Sequence, residues 1–88
     1  QLDKYRGKKI KYETLRAYLI ITQLNVKEEL SVPQAIRKAG SEMKIGVVLP
    51  GTYYKWRSNH REAYSLLCDG LNKGMSETEI IDCIRPFS

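Results

Sequence analysis

Thr52-Tyr53-Tyr54-Lys55-Trp56-Arg57-Ser58-Asn59 is the stretch on which the fold turns. At helical spacing Tyr53 and Trp56 lie three residues apart and share an apolar face that should enter a core. Thr52, Lys55 and Asn59, at spacings of three and four, share a different face, with Ser58 beside it. A helix with a packed back and a front of small polar, cationic and amide groups suits contact with base edges and phosphates. Asn and Gln pair with adenine, and Arg or Lys with guanine. Tyr54 is open to three uses: stacking, reaching a phosphate, or packing. The same pattern also describes an ordinary amphipathic helix with a wet outer face.

On both sides of this stretch the chain reads as helix. Ser31 precedes Gln34 by three residues, Asn59 precedes Glu62, and Ser76 precedes Glu79. Each pair has the form of a capping box, in which the first side chain accepts from an orphan N–H and the third-position side chain reaches back. A first helix without such a box runs from residue 12 to about residue 24, with Leu15, Tyr18, Leu19, Ile21 and Leu24 as its stripe and Asn25 as its end. A second opens at Ser31, with Pro33 in its first turn and Ala35, Ile36 and Ala39 inward. Its end lies at Gly40 or, if the stripe continues to Met43, at Gly46. Residues 46–51 read as a turn, with room for a short extended stretch. A helix over about 50–58 follows, then one carrying Ala63, Tyr64, Leu67, Cys68 and Leu71 that Gly74 ends. A last short helix has Ile80, Ile81 and Ile84 inward and stops at Pro86. The fold class is therefore all-α, a small bundle of about five helices.

With 88 residues, 42% of them hydrophobic and 28% charged, the chain has the makings of one folded domain with one modest core. Its longest apolar runs, Leu19-Ile20-Ile21 and Val47-Val48-Leu49, are far too short to span a bilayer. No basic-then-apolar leader opens it, and its start at Gln1 reads either as the result of processing or, the favoured reading, as a domain cut from a longer protein. Cys68 and Cys83 fall among apolar residues and read as two buried thiols in a reducing interior. Their separation fits no zinc pattern, and His60 would add only a third ligand.

The formal net charge is +5, unevenly distributed. Lys4, Arg6, Lys8, Lys9 and Lys11 against Asp3 give residues 1–11 a net +4. Residues 46–61 hold Lys55, Arg57 and Arg61 with no acid, while residues 62–88 are net −3. A polyanion would meet the arm and the central segment, not the C-terminal third.

Ser31-Val32-Pro33-Gln34-Ala35-Ile36-Arg37-Lys38-Ala39-Gly40, then Thr52-Tyr53-Tyr54-Lys55-Trp56-Arg57, then Asn59-His60-Arg61-Glu62-Ala63-Tyr64, resembles the homeodomain-like helix-turn-helix modules of transposases and phage small terminase subunits. The resemblance covers about residues 12–67. One difference is the spacing. Such modules place only a few residues between the Ala-Gly and the Thr, whereas residues 41–51 intervene here.

The resemblance implies sequence-specific binding of double-stranded DNA by a domain over 12–88 with a basic arm over 1–11. Base readout would fall to Thr52, Lys55, Ser58 and Asn59. Phosphate or minor-groove contacts would come from Lys4, Arg6, Lys8, Lys9, Lys11, Arg37, Lys38, Lys44, Tyr54, Arg57, His60 and Arg61. The expected setting is the cytoplasm or nucleoid, or a host-cell interior, with a mobile-element end, packaging site or replication origin as target. The alternative is a protein-interaction or dimerisation module that uses the acidic C-terminal helices and a stripe of Ile80, Ile81, Ile84 and Phe87. A homodimer is compatible with both. No cofactor, metal, membrane or small-molecule substrate is expected. Nor is catalysis expected within this domain, since paired carboxylates, an activated nucleophile and a phosphate loop are all lacking.

Overall fold

Residues 17–22 are buried without a break, which a one-sided stripe would not give. The helix that holds them, α1 (Tyr12–Lys27), is covered around most of its circumference by the rest of the chain. The computed structural model describes residues 10–87. After α1 come α2 (Val32–Glu42), α3 (Pro50–Asn59), α4 (Arg61–Asn72), α5 (Glu77–Ile84) and a 3-10 turn over Arg85–Phe87. No strand occurs among the described residues. The expected all-α bundle is what forms, with α1 packed against α2, α4 and α5.

The Ser31 and Ser76 capping boxes both close. Each serine hydroxyl accepts from the third-position N–H, at 3.4 and 3.2 Å, and the Gln34 and Glu79 side chains each accept from the serine N–H at 3.1 Å. The Asn59 box does not form. Asn59 is still helical, as the last residue of α3. The chain breaks one residue later, at His60 (φ −127°, ψ 57°), which caps α4 with no side-chain bond. An N-cap needs a non-helical backbone, so Asn59 cannot serve.

Two helix ends also differ from expectation, for one reason. α1 continues past Asn25 to Lys27, and α2 passes through Gly40 to Glu42, short of Gly46. The reversals are made by Glu29 (φ 55°) and Lys44 (φ 54°), left-handed residues that are not glycine. Asn25 instead braces the link between α1 and α2, its Nδ2 donating to the Leu30 carbonyl at 2.7 Å. Gly74 (φ 72°) does end α4, with the Met75 N–H bonded to the Gly70 carbonyl and the Gly74 N–H to that of Leu71.

Residues 43–49 form an irregular link with no extended strand. Leu15, Tyr18, Leu19, Ile21 and Leu24 of α1 are all buried, as are Ala35, Ala39, Ala63, Leu67 and Leu71. Ile80, Ile81 and Ile84 are 0–1% exposed inside the chain's own core, so only Phe87 of the expected C-terminal apolar stripe faces outward. Gly70 lets α4 and α5 close on each other, for a Cβ there would lie 2.7 Å from Ile80 Cγ1. The expectation of two buried thiols is corrected. Both are free, Cys68 is half-buried and Cys83 exposed. Cys83 lies some 100° round α5 from the middle of the isoleucine face, on its outer flank.

Candidate nucleic-acid interface

α3 begins at Pro50, where a missing N–H is harmless, and Leu49 before it gives no side-chain cap. Its position depends on what its inner face grips. Tyr53 and Trp56 are 0% and 4% exposed. The Trp56 ring stacks on Tyr18 of α1, centroids 4.6 Å apart and planes at 27°, and Tyr53 meets Tyr18 edge-on at 6.0 Å. The Tyr53 hydroxyl lies 2.6 Å from Thr22 Oγ1, which itself donates to the Tyr18 carbonyl at 2.8 Å. Thr22 has one proton and gives it to that carbonyl, so Tyr53 is the donor to Thr22. Burial pushes the Tyr53 phenol above its ordinary pKa, while the charge and an N–H bond of Arg57 pull the other way. Both residues read from sequence as the buried anchor of this helix are that anchor. Thr22 and Tyr18 complete it from a different helix.

The opposite side of α3 is open. Thr52, Lys55, Ser58 and Asn59 are all exposed. At about 100° per residue, Gly51 and Ser58 mark the middle of the outward face, with Lys55 to one side and Tyr54 to the other. Thr52 and Asn59 lie farther round, on the Lys55 side. Thr52 reaches the rim of a groove of ≈ 510 Å³ that Ala17, Tyr18 and the 46–49 link also line. The four residues expected to read bases are thus held on one helix, on its solvent side, with no acid between residues 46 and 61.

The residues expected at phosphate separate into groups. Lys4, Arg6, Lys8 and Lys9 lie outside the described residues. Lys11, the residue before α1, is exposed, as are Arg37 on α2, Lys44 in the link and Arg61 at the start of α4. Lys38 pairs with Glu28 at 2.7 Å, which raises its pKa. His60 is half-buried at the break, its ring centroid 6.5 Å from that of Trp56.

Arg57 and Tyr54 belong to a cluster that spacing along one helix could not reveal. The guanidinium carbon of Arg57 lies 5.4 Å from the ring centre of Tyr54, 5.8 Å from that of Tyr53 and 5.2 Å from that of Tyr64 on α4. Tyr64 carried no functional expectation. Its only sequence signal is an aromatic near the start of the helix after the Trp56 segment. Desolvation, and then the neighbouring Cys68, push its phenol up to about 12. Comparison with known proteins gives this cluster no counterpart. No family model, curated protein or solved structure matches the chain. Among the described residues no group of three His, Cys, Asp or Glu gathers as a metal site, and no helix is long and apolar enough to cross a membrane.

Proposed function

We propose that this chain binds double-stranded DNA, with α3 as the helix that enters the major groove. The observation that carries this reading is the two-sidedness of α3. Its inner face is pinned to α1 by Tyr53 and Trp56, and its outer face presents Thr52, Lys55, Ser58 and Asn59 from a segment, residues 46–61, that holds no acid, although Glu13 of α1 lines the groove that Thr52 rims. Base reading demands side chains held on a rigid element, and a buried aromatic pair supplies that rigidity. Lys55 would address guanine and Asn59 adenine, while Arg37, Lys44, Arg61 and the basic segment over 1–11 supply phosphate charge. A target of the kind the helix-turn-helix resemblance implies, a mobile-element end, packaging site or origin, fits this reading.

Selection of bound duplexes from a random pool tests it. A defined motif of a few base pairs is the expected result, and a palindromic one would mean a dimer. An enriched pool with no common motif would end the base-reading part of the proposal. Affinity that does not fall with added salt would end its electrostatic part.

A further inference from the structure

The junction of α3 and α4 holds a second feature, which shares only Ser58 with the base-reading residues. A recess of ≈ 450 Å³ opens there, lined by Tyr54, Arg57, Ser58, Arg61 and Tyr64. Its lining supplies two guanidinium groups and three hydroxyls, and no carboxylate. Arg57 is layered among three tyrosine rings at 5.2–5.8 Å. Ring faces attract the cation but do not accept its in-plane N–H bonds, and a bond to the Tyr53 oxygen uses only one of the five N–H donors, so the layering orients the donors without saturating them. Glu62 is the nearest acid in sequence. It leaves α4 about 160° round from Tyr64, away from the recess. The ion pairs Arg16–Glu77, Lys38–Glu28 and Lys73–Asp69 all lie elsewhere.

We propose that this recess binds one phosphate group. The planar N–H edges of Arg57 and Arg61 donate to its non-bridging oxygens, and the hydroxyls of Ser58 and Tyr54 complete the donor set. A carboxylate is satisfied by a single guanidinium fork. Two such forks with added hydroxyls fit a group with more oxygens and more charge. The source of the phosphate rests on the DNA reading, under which it is a backbone phosphodiester beside the outward face of α3. Free phosphate offers the same chemistry.

The test follows the Arg57 and Arg61 Nε–H signals of the full chain by nuclear magnetic resonance. Inorganic phosphate is added first, against chloride at equal ionic strength, and then a DNA duplex. Both signals should move saturably with phosphate and again with duplex. Arg61→Ala, at an exposed position, should weaken duplex binding roughly tenfold on every sequence. It should also reduce the log–log salt slope by about 0.9, the loss of one phosphate contact. Arg57→Lys keeps the charge but not the fork, and should lose the phosphate response while circular dichroism reports an intact fold. A duplex that binds while both arginine signals stay still overturns the recess and leaves the DNA reading standing. A phosphate response without duplex binding keeps the recess as a free-phosphate site and removes the DNA reading. Unchanged affinity and slope in Arg61→Ala overturn the backbone phosphodiester as the source.

Discussion

Thr22 Oγ1 and the Tyr53 hydroxyl meet at 2.6 Å, both fully buried, and this contact ties the central helix to the helix that faces outward. Its two ends are unequal. Tyr53→Phe removes the donor, but Thr22 keeps its bond to the Tyr18 carbonyl, so about 1 kcal/mol of stability should be lost. Thr22→Val strands the Tyr53 hydroxyl beside an apolar group, and the loss should be larger, about 1–3 kcal/mol. The double variant should lose less than the two singles together. Urea unfolding followed by the fluorescence of Trp56, the one tryptophan, measures all three. Equal losses in the two single variants would contradict the assigned direction of the bond.

Two glycines inside helices should respond in opposite senses. A Cβ on Gly40 meets nothing within 4 Å. Gly40→Ala should therefore stabilise the protein by about 0.5–1 kcal/mol, through helix propensity and a less disordered unfolded chain. At Gly70 a Cβ would press on Ile80 Cγ1 at 2.7 Å. Gly70→Ala should cost about 1–3 kcal/mol as α4 and α5 are forced apart. Thermal unfolding of the two variants checks the signs.

The capping boxes yield a matched set. Ser31→Ala and Ser76→Ala should each cost about 1 kcal/mol, whereas Asn59→Ala, which removes no cap, should stay within about 0.5 kcal/mol of the parent. Glu79 adds a pH signature. Its bonds from the Ser76 N–H and hydroxyl region hold its pKa below the ordinary carboxylate value. A carboxyl with a lowered folded pKa contributes stability above its unfolded pKa and loses it as pH falls through the folded one. Glu79→Gln keeps an acceptor but cannot titrate, so it should flatten the acid limb of the stability profile.

At alkaline pH the tyrosines should act together. Tyr18, Tyr53 and Tyr64 all have raised pKa values, with burial as the leading cause, and that of Tyr64 reaches about 12. A raised folded pKa favours the neutral phenol. The stability it supports is complete below about pH 10, the unfolded value, and drains away as pH rises toward 12. Absorbance of phenolate should show a late-titrating group of tyrosines, and unfolding in urea should become easier over the same interval. Tyrosines that all titrate near pH 10 without loss of fold would contradict the buried cluster.

What could be read from sequence was local. Ser31 and Gln34, like Ser76 and Glu79, are three residues apart, and a capping box needs only those residues, a helix behind them and a non-helical backbone at the first, the condition that Asn59, still inside α3, does not meet. Tyr53 and Trp56 declared a buried face because their spacing matches one helical turn. The ends of α1 and α2 were not legible, because Glu29 and Lys44 adopt a left-handed backbone that ordinarily signals itself through glycine, while Gly40 sits in mid-helix and signals a stop that does not occur. The site was half legible for a related reason. Thr52, Lys55, Ser58 and Asn59 share one helix, so spacing alone placed them. The cradle of Arg57 draws Tyr64 from the next helix, and the partner of Tyr53 lies 31 residues away at Thr22, so both depend on packing that no pattern within a helix records.

The most direct measurement compares Lys55→Ala and Asn59→Ala with the parent chain, on the duplex selected from the random pool and on a scrambled one. If α3 reads bases, each variant loses about 1–3 kcal/mol on the selected duplex, almost nothing on the scrambled one, and discriminates less between them. Parent-like affinity and discrimination in both variants would contradict α3 as the reading helix.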